Sequence, residues 1–182
     1  PLTEITESGL ATTQENFEFD DIVYATGFDA MTGALDAVDI RGRAGVSLRE
    51  KWSAGPITYL GLAVAGFPNL FTITGPGSPS VLSNMMVSIE QHVDWIADAI
   101  EAMRSKGGTT IEAEPDAERE WTRHVDEVGD MTLYPKVDSW YVGSNVPGKP
   151  RVMYAYIGGV GAYREKCDQV AADDYAGFTL TR

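Results

Sequence analysis

The sequence predicts an α/β fold, and three observations lead to that prediction. Short apolar runs separated by turn residues occupy the stretch from Leu2 to Phe19, which is typical of an antiparallel meander. Runs rich in β-branched and aromatic residues follow at Ile22–Ala25 and Phe67–Thr74, and such runs favour strands buried on both faces of a parallel sheet. Beyond them, apolar residues recur every three or four positions, which predicts a long helix.

The first part of the chain divides into short elements. The predicted strands of the meander are Leu2–Thr6, Leu10–Thr13 and Phe17–Phe19. Gly27 follows the predicted strand Ile22–Ala25, where a glycine permits close approach of the backbone either to a ligand or to a neighbouring segment. After it, the pattern predicts a helical turn, a short strand, a capped helix and an apolar strand, at Met31–Leu35, Asp39–Gly42, Ser47–Trp52 and Thr58–Val64.

A loop rich in Gly, Pro and Ser, residues 75–80, joins the predicted strand Phe67–Thr74 to the long helix. Such a junction directs backbone N–H groups and the positive end of a helix dipole at one place, which suits an anionic or electron-rich ligand group. A junction that needs Gly and Pro only for its geometry fits the pattern equally well. The residues expected on the buried face of the helix are Met86, Ile89, Val93, Ile96, Ile100 and Met103.

The C-terminal part adds two helices and a long irregular segment. Thr109–Ala113 is a possible edge strand, and Pro115 is placed to begin a helix that runs beyond Val128. Met131–Pro150 has no period, and a segment of this length in a compact domain is usually functional or disordered. Val152–Ile157 predicts a strand, and the last helix has an apolar face formed by Val160, Tyr163, Cys167, Val170 and Ala171.

Composition restricts the function classes. With 27 acidic and 14 basic residues the chain carries a net charge of −13, which disfavours binding to nucleic acid or to an anionic membrane. A single cysteine, Cys167, fits a reducing compartment such as the cytoplasm. No apolar run is long enough for a transmembrane helix. The chain begins with Pro1 and has no leader pattern, so we expect a piece of a larger protein.

No complete active site is predicted from residue chemistry. Two glycine-containing loops, at Gly75 and at Gly159, lack the third glycine of a dinucleotide fingerprint. The two histidines, His92 and His124, fall within helical patterns and are expected at the surface or between helices. One cysteine cannot form a Cys/His metal site, and no G-x-S-x-G elbow is present.

Four stretches resemble the C-terminal part of type I Baeyer–Villiger monooxygenases, which are FAD- and NADPH-dependent. They are IVYATGFDAMTGAL, KWSAGPITYLGL, FPNLFTITGPGSPSVLSNMMVSIEQHVDW and SWYVGSNVPGKPRV. The resemblance implies a flavoprotein with two Rossmann-like dinucleotide-binding domains, of which this chain is the C-terminal portion. Residues 1–28 would be the tail of the NADP-binding domain and the crossing segment, and residues 29–182 would belong to the FAD-binding domain, with a mobile loop at 131–150.

The resemblance also implies roles for individual residues. Met85 matches a methionine that contacts the flavin, and Trp140 matches a tryptophan of the mobile loop that contacts NADP. Gly27 lies in the crossing segment and is a further expected cofactor contact. The pocket for a ketone substrate would be lined by Ser80, Val81 and Leu82. No catalytic residue is expected in this chain, because the family's glycine fingerprints and its catalytic arginine have no counterpart here; they would be supplied by the missing N-terminal portion of the enzyme. The implied reaction inserts one oxygen atom of O2 next to a ketone carbonyl. A flavin monooxygenase that oxidises nitrogen or sulfur, or a ligand-binding domain without catalysis, stays open.

Overall fold

The computed structural model describes residues 1–25, 27–79 and 83–182. The strands are β1 (Leu2–Thr6), β2 (Gly9–Thr12), β3 (Asn16–Glu18), β4 (Thr110–Ala113) and β5 (Phe178–Thr181). The α-helices are α1 (Gly33–Asp36), α2 (Leu48–Lys51), α3 (Met85–Ser105), α4 (Pro115–Asp130) and α5 (Val160–Ala172). In this part of the chain no helix is long and apolar enough to cross a membrane.

The predicted N-terminal meander is confirmed. Strands β1, β2 and β3 form an antiparallel sheet in that order. The pairing places Ile5 opposite Leu10, and Leu10 opposite Phe17. Phe17 and Phe19 stack with ring centroids 6.2 Å apart, yet both remain exposed.

The core lies between α3, α4, α5 and the segment that precedes α3. Trp95 of α3 donates its indole N–H to the Cys167 carbonyl of α5 at 3.0 Å. Tyr163 of α5 donates its hydroxyl to the Leu60 carbonyl at 2.7 Å, so the preceding segment is joined to the same helix. The predicted edge strand is confirmed as β4, and it pairs antiparallel with β5. The predicted last helix is confirmed as α5, with Tyr163, Cys167 and Val170 buried.

The predicted buried strands at Thr58–Val64, Phe67–Thr74 and Val152–Ile157 are wrong as strands, although much of each is buried. Leu60, Asn69 and Thr74 adopt left-handed backbone angles, with φ of 58°, 59° and 54°. A residue in that region reverses the chain and ends an extended run. The first two segments therefore form turns with isolated bridges, such as the antiparallel bridge between Ala63 and Phe71. Within the described ranges, Val152–Ile157 forms only one isolated parallel bridge, between Tyr156 and Pro79.

The predicted strand Ile22–Ala25 is also not formed. Val23 and Tyr24 are 85% and 69% exposed. A strand requires a neighbour that pairs with its backbone, and in the described ranges both sheets are antiparallel and neither includes this run. Local propensity alone does not make a strand here.

The long helix is confirmed as α3, but its predicted buried face is rotated. The buried positions are Ser88, His92, Trp95, Ala99 and Met103. Met86 is 63% exposed and Val93 is also exposed, whereas Ile96 and Ile100 lie at the margin of the core. The reason is the size of Trp95, whose ring packs against Tyr175 and Phe178 and so sets which face turns inward.

Candidate functional site

The buried loop Gly75–Pro79 uses its backbone groups inside the protein. Gly77 donates its N–H to the Tyr154 carbonyl at 3.0 Å, and Ser78 donates to Gly75 at 3.1 Å. The Gly77 carbonyl accepts from the indole of Trp121 at 3.0 Å. Gly77 has φ of 80°, and a Cβ there would lie 2.9 Å from Thr58 Oγ1. The Gly77 and Ser78 N–H groups are therefore bonded within the protein and are not directed at a ligand, and Gly77 serves the geometry of the junction.

The start of α3 keeps the character expected of a ligand-facing helix end. Asn84 is the N-cap, and its side chain accepts the Met86 N–H at 3.0 Å. The first turn carries no acidic residue that would oppose the helix dipole. Met85, the first residue of the helix, is half-buried. The helix end thus combines a positive dipole end with a polarisable side chain, which suits an electron-rich aromatic ring.

Trp140 begins a 3₁₀ turn, Trp140–Val142, inside the irregular segment. Its ring stacks on Tyr141 with centroids 3.9 Å apart and an interplanar angle of 28°. Gly143 ends the turn with φ of 75°, and a Cβ there would lie 2.8 Å from the Pro150 carbonyl oxygen. The half-buried Trp140 therefore packs on its neighbour while part of its surface stays available.

Arg151 holds the segment that contains Trp140 together. Its guanidinium donates to the Pro135 and Val137 carbonyls at 3.0 and 3.1 Å. It also pairs with Asp138 at 2.8 Å and donates to the Ser144 hydroxyl. These partners flank Trp140 on both sides in sequence. A planar group with several fixed donors can fasten an irregular segment in this way.

Lys149 and Asn145 join this segment to the residues that follow Gly27. The Lys149 ammonium pairs with Asp29 and donates to the Ala30 carbonyl at 2.8 Å. The Asn145 side-chain amide donates to the Phe28 carbonyl at 3.1 Å. Gly27 itself has φ of 81°, and no atom lies within 4 Å of a Cβ built there, so the backbone is open to approach.

The structure thus brings two of the expected cofactor-contacting segments together. The loop that carries Trp140 and the segment of Gly27 are joined, whereas no hydrogen bond between described residues joins Met85 to either. The expected substrate-pocket residues Ser80, Val81 and Leu82 lie outside the described residues. Sequence reasoning missed Arg151 and Lys149, and the signal that could have found them is a pair of cations at the C-terminal end of a long segment without helical or strand periodicity.

Two buried polar side chains hold the surrounding elements. His92 is fully buried, its Nδ1 accepts the Thr74 N–H at 3.0 Å, and burial lowers its pKa to about 4. Glu118 of α4 accepts the Ala65 N–H and the Lys51 ammonium, each at 2.8 Å. Burial raises the pKa of the Glu118 carboxyl, and these two bonds oppose that rise. Both residues tie helices to the segment around the junction.

The described residues contain no group of three or more His, Cys, Asp or Glu side chains placed to hold a metal ion.

A cavity of about 410 Å³ lies between α4 and α5, bordered by Trp121, His124, Tyr156 and Lys166. His124 packs against the rings of Trp121 and Tyr156, so both histidines lie between elements of the fold as expected.

Curated relatives match the whole chain. The acetone monooxygenase (methyl acetate-forming) of Gordonia sp. (strain TY-5) is 47% identical over 100% of the chain, which covers 34% of that protein. A Baeyer-Villiger monooxygenase of Pseudooceanicola batsensis is 40% identical over 100% of the chain and 33% of its own length. A phenazine N-monooxygenase of Lysobacter antibioticus is 40% identical over 99% and 33%. The chain therefore spans about a third of the length of the curated relatives it matches. No protein-family model matches it.

Solved structures agree with the sequence matches. An oxidised steroid monooxygenase bound to NADP matches with a TM-score of 0.89 and 46% identity, over 100% of this chain and 34% of that one. The OTEMO complex with FAD and NADP matches with a TM-score of 0.89 and 39% identity, over 100% and 33%. The chain thus has the fold of a portion of the flavoproteins that bind FAD and NADP. More narrowly, the whole chain is homologous to a portion of the Baeyer–Villiger monooxygenases that makes up about a third of their length.

Proposed function

We propose that the protein carrying this chain is an NADPH- and FAD-dependent monooxygenase that inserts one oxygen atom of O2 next to a ketone carbonyl to give an ester or lactone. The observation that carries this proposal is the 47% identity to an acetone monooxygenase over the entire chain. Residues 1–28 would complete an NADP-binding domain, and residues 29–182 would be the C-terminal portion of the FAD-binding domain. The remaining two thirds would supply the phosphate-binding loops and the catalytic arginine.

The start of α3 would lie against the flavin. FAD would supply the oxygen-activating chemistry, and the chain's contribution is electrostatic and steric. The positive end of the helix dipole stabilises negative charge on a ring placed before it, and the Met85 thioether packs against a flat aromatic surface. Asn84 stabilises this arrangement because its side chain caps α3 and so helps to fix Met85 as the first residue of the helix.

Trp140 and Gly27 would both contact NADP, because the segments that carry them are joined through Asn145 and Lys149. The Trp140 indole can donate one hydrogen bond and cover a planar ring, and its stacking on Tyr141 fixes that orientation. Gly27 presents an open backbone that a ligand could approach closely. By the family resemblance, Ser80, Val81 and Leu82 would line the ketone pocket.

Partners follow from the same proposal. The ketone and O2 are the substrates, and the rest of the enzyme is the principal protein partner. Nucleic acid and anionic membranes are not proposed as partners, because the net charge of −13 disfavours both. We place the protein in the cytoplasm, since the one cysteine of this chain, Cys167, is free and so fits a reducing compartment.

The test is an assay of the enzyme that contains this chain. NADPH oxidation should be stimulated by ketones, and mass spectrometry should find an ester or lactone that carries one atom from labelled O2. The phenazine N-monooxygenase among the relatives makes heteroatom oxidation the second candidate. If aromatic N-heterocycles yield N-oxides while no ketone yields an ester, the second candidate replaces the first.

A further inference from the structure

We propose that Lys149 is a positioning residue: it fastens the segment that carries Trp140 onto Phe28–Ala30 and so sets the fraction of molecules in which Trp140 is ready to contact a nicotinamide dinucleotide. The inference rests on the proposed function for the role of Trp140. The fastening itself rests on contacts within this chain.

The ammonium of Lys149 is surrounded by partners from two separate parts of the sequence. It pairs with Asp29, donates to the Ala30 carbonyl at 2.8 Å and lies 4.4 Å from the ring centroid of Tyr154. The Lys149 side chain is only 8% exposed. A lysine buried to this extent is stable only with partners, so the docked position satisfies it.

The contact between Lys149 and Asp29 is reversible because Asp29 is exposed to solvent. Asp29 is 40% exposed, and when the segment leaves, both Asp29 and Lys149 can return to water. The neighbouring bond from Asn145 to the Phe28 carbonyl is exposed as well. The contact can therefore open and close at modest cost, which a segment that admits and releases a ligand requires.

Arg151 carries the effect of Lys149 to Trp140. Its bonds reach Pro135, Val137, Asp138 and Ser144, so residues on both sides of Trp140 are held as one body. Tyr154 strengthens the connection because its hydroxyl donates to the Pro150 carbonyl at 3.0 Å beside Lys149. A shift at Lys149 would thus move the Trp140 turn.

The experiment uses the complete enzyme with the variants Lys149→Met, Lys149→Arg and Asp29→Asn. Loss of the fastening lowers the fraction of competent molecules, and the apparent KM for NADPH rises by the inverse of that fraction. We expect Lys149→Met to raise this KM by about tenfold, the size expected for one hydrogen bond to a charged group. Release of hydrogen peroxide should increase, kcat should change less, and bound FAD should stay at the parental level. Lys149→Arg should restore most of the parental KM.

Hydrogen exchange of residues 131–150 gives a readout without turnover. It should be faster in Lys149→Met and in Asp29→Asn, and the double variant should add little, because both changes remove the same contact. The matched control is Lys106→Met, which removes the exposed pair with Asp174 and should leave both KM and exchange unchanged. A folded Lys149→Met enzyme with parental KM, coupling and exchange would overturn the inference. If the parent enzyme itself fails to use NADPH while the exchange result holds, the proposed function fails and the fastening stands.

Discussion

His92 predicts a specific acid sensitivity of the helix that begins at Met85. The imidazole is fully buried on α3, accepts the Thr74 N–H through Nδ1 and lies edge-on to Tyr163 with ring centroids 5.4 Å apart. Its Nε2 is buried without a hydrogen-bond partner among the described residues. A neutral ring fits this place, whereas a protonated ring would lose the acceptor that Thr74 needs and bury an unpaired charge.

The sign and size of the effect follow from the pKa. Burial lowers the pKa of His92 from its ordinary value of 6.5 to about 4. Between these values the unfolded chain binds the proton and the folded chain does not. The contribution of neutral His92 to the free energy of unfolding is therefore complete above pH 6.5 and is lost as the pH falls toward about 4. A shift of that size corresponds to about 3 kcal/mol.

The assay is urea unfolding of the complete enzyme, followed by tryptophan fluorescence, at several pH values across this window. The His92→Gln variant should be less stable near neutrality and should lack the His92 part of the pH slope. Subtracting its profile from the parental one removes the carboxylates that titrate in both proteins. The His124→Gln control keeps His92 and should retain the slope. Identical slopes for the parent and His92→Gln would refute the reasoning.

Three further outcomes are expected. Glu118→Ala leaves Lys51 and the Ala65 N–H without their acceptor and should cost about 3 kcal/mol in urea unfolding. Glu127→Ala, which removes the exposed pair with Arg123, should cost less than about 0.5 kcal/mol, and equal losses would contradict the assignment. In the complete enzyme, Trp140→Ala should weaken NADPH use and increase peroxide release while FAD stays bound; parental kinetics and coupling would count against the role of Trp140. The 182-residue chain alone should bind FAD weakly and aggregate, whereas co-expression with the remaining portion should give a yellow, soluble complex; a monomeric chain with stoichiometric flavin absorbance would exclude this.

Local sequence signals predicted the elements whose causes are local. The capped helix is an example, because Ser47 accepts the Glu50 N–H at 3.1 Å as the pattern requires. Pro115 begins α4, and Gly107 follows α3 with φ of 71°. The antiparallel meander was equally predictable, since its strands follow one another closely and pair with their neighbours in sequence.

Segments whose conformation depends on contacts with residues far away in sequence could not be predicted in this way. Asn69 turns the predicted strand Phe67–Thr74 because its side chain accepts the Ile111 N–H at 3.0 Å and donates to the Thr109 carbonyl at 3.1 Å. Those partners belong to the segment of β4, about 40 positions away. The local pattern shows that this run is apolar, and it contains no information about the distant backbone groups that the Asn69 side chain binds.

The candidate site shows the same division between residue type and placement. The resemblance supplied Met85 and Trp140 because motifs carry residue identity, but it gave no reason for Trp140 to stay in position. That reason lies in Lys149 and Arg151, whose partners include the backbone carbonyls of Ala30, Pro135 and Val137. Every residue has the same backbone carbonyl, so a sequence cannot show which of these carbonyls a cation will bind. A site built from contacts between side chains and backbone is therefore visible only in three dimensions. Replacing its cations, Lys149 and Arg151, should change ligand binding while the protein still folds.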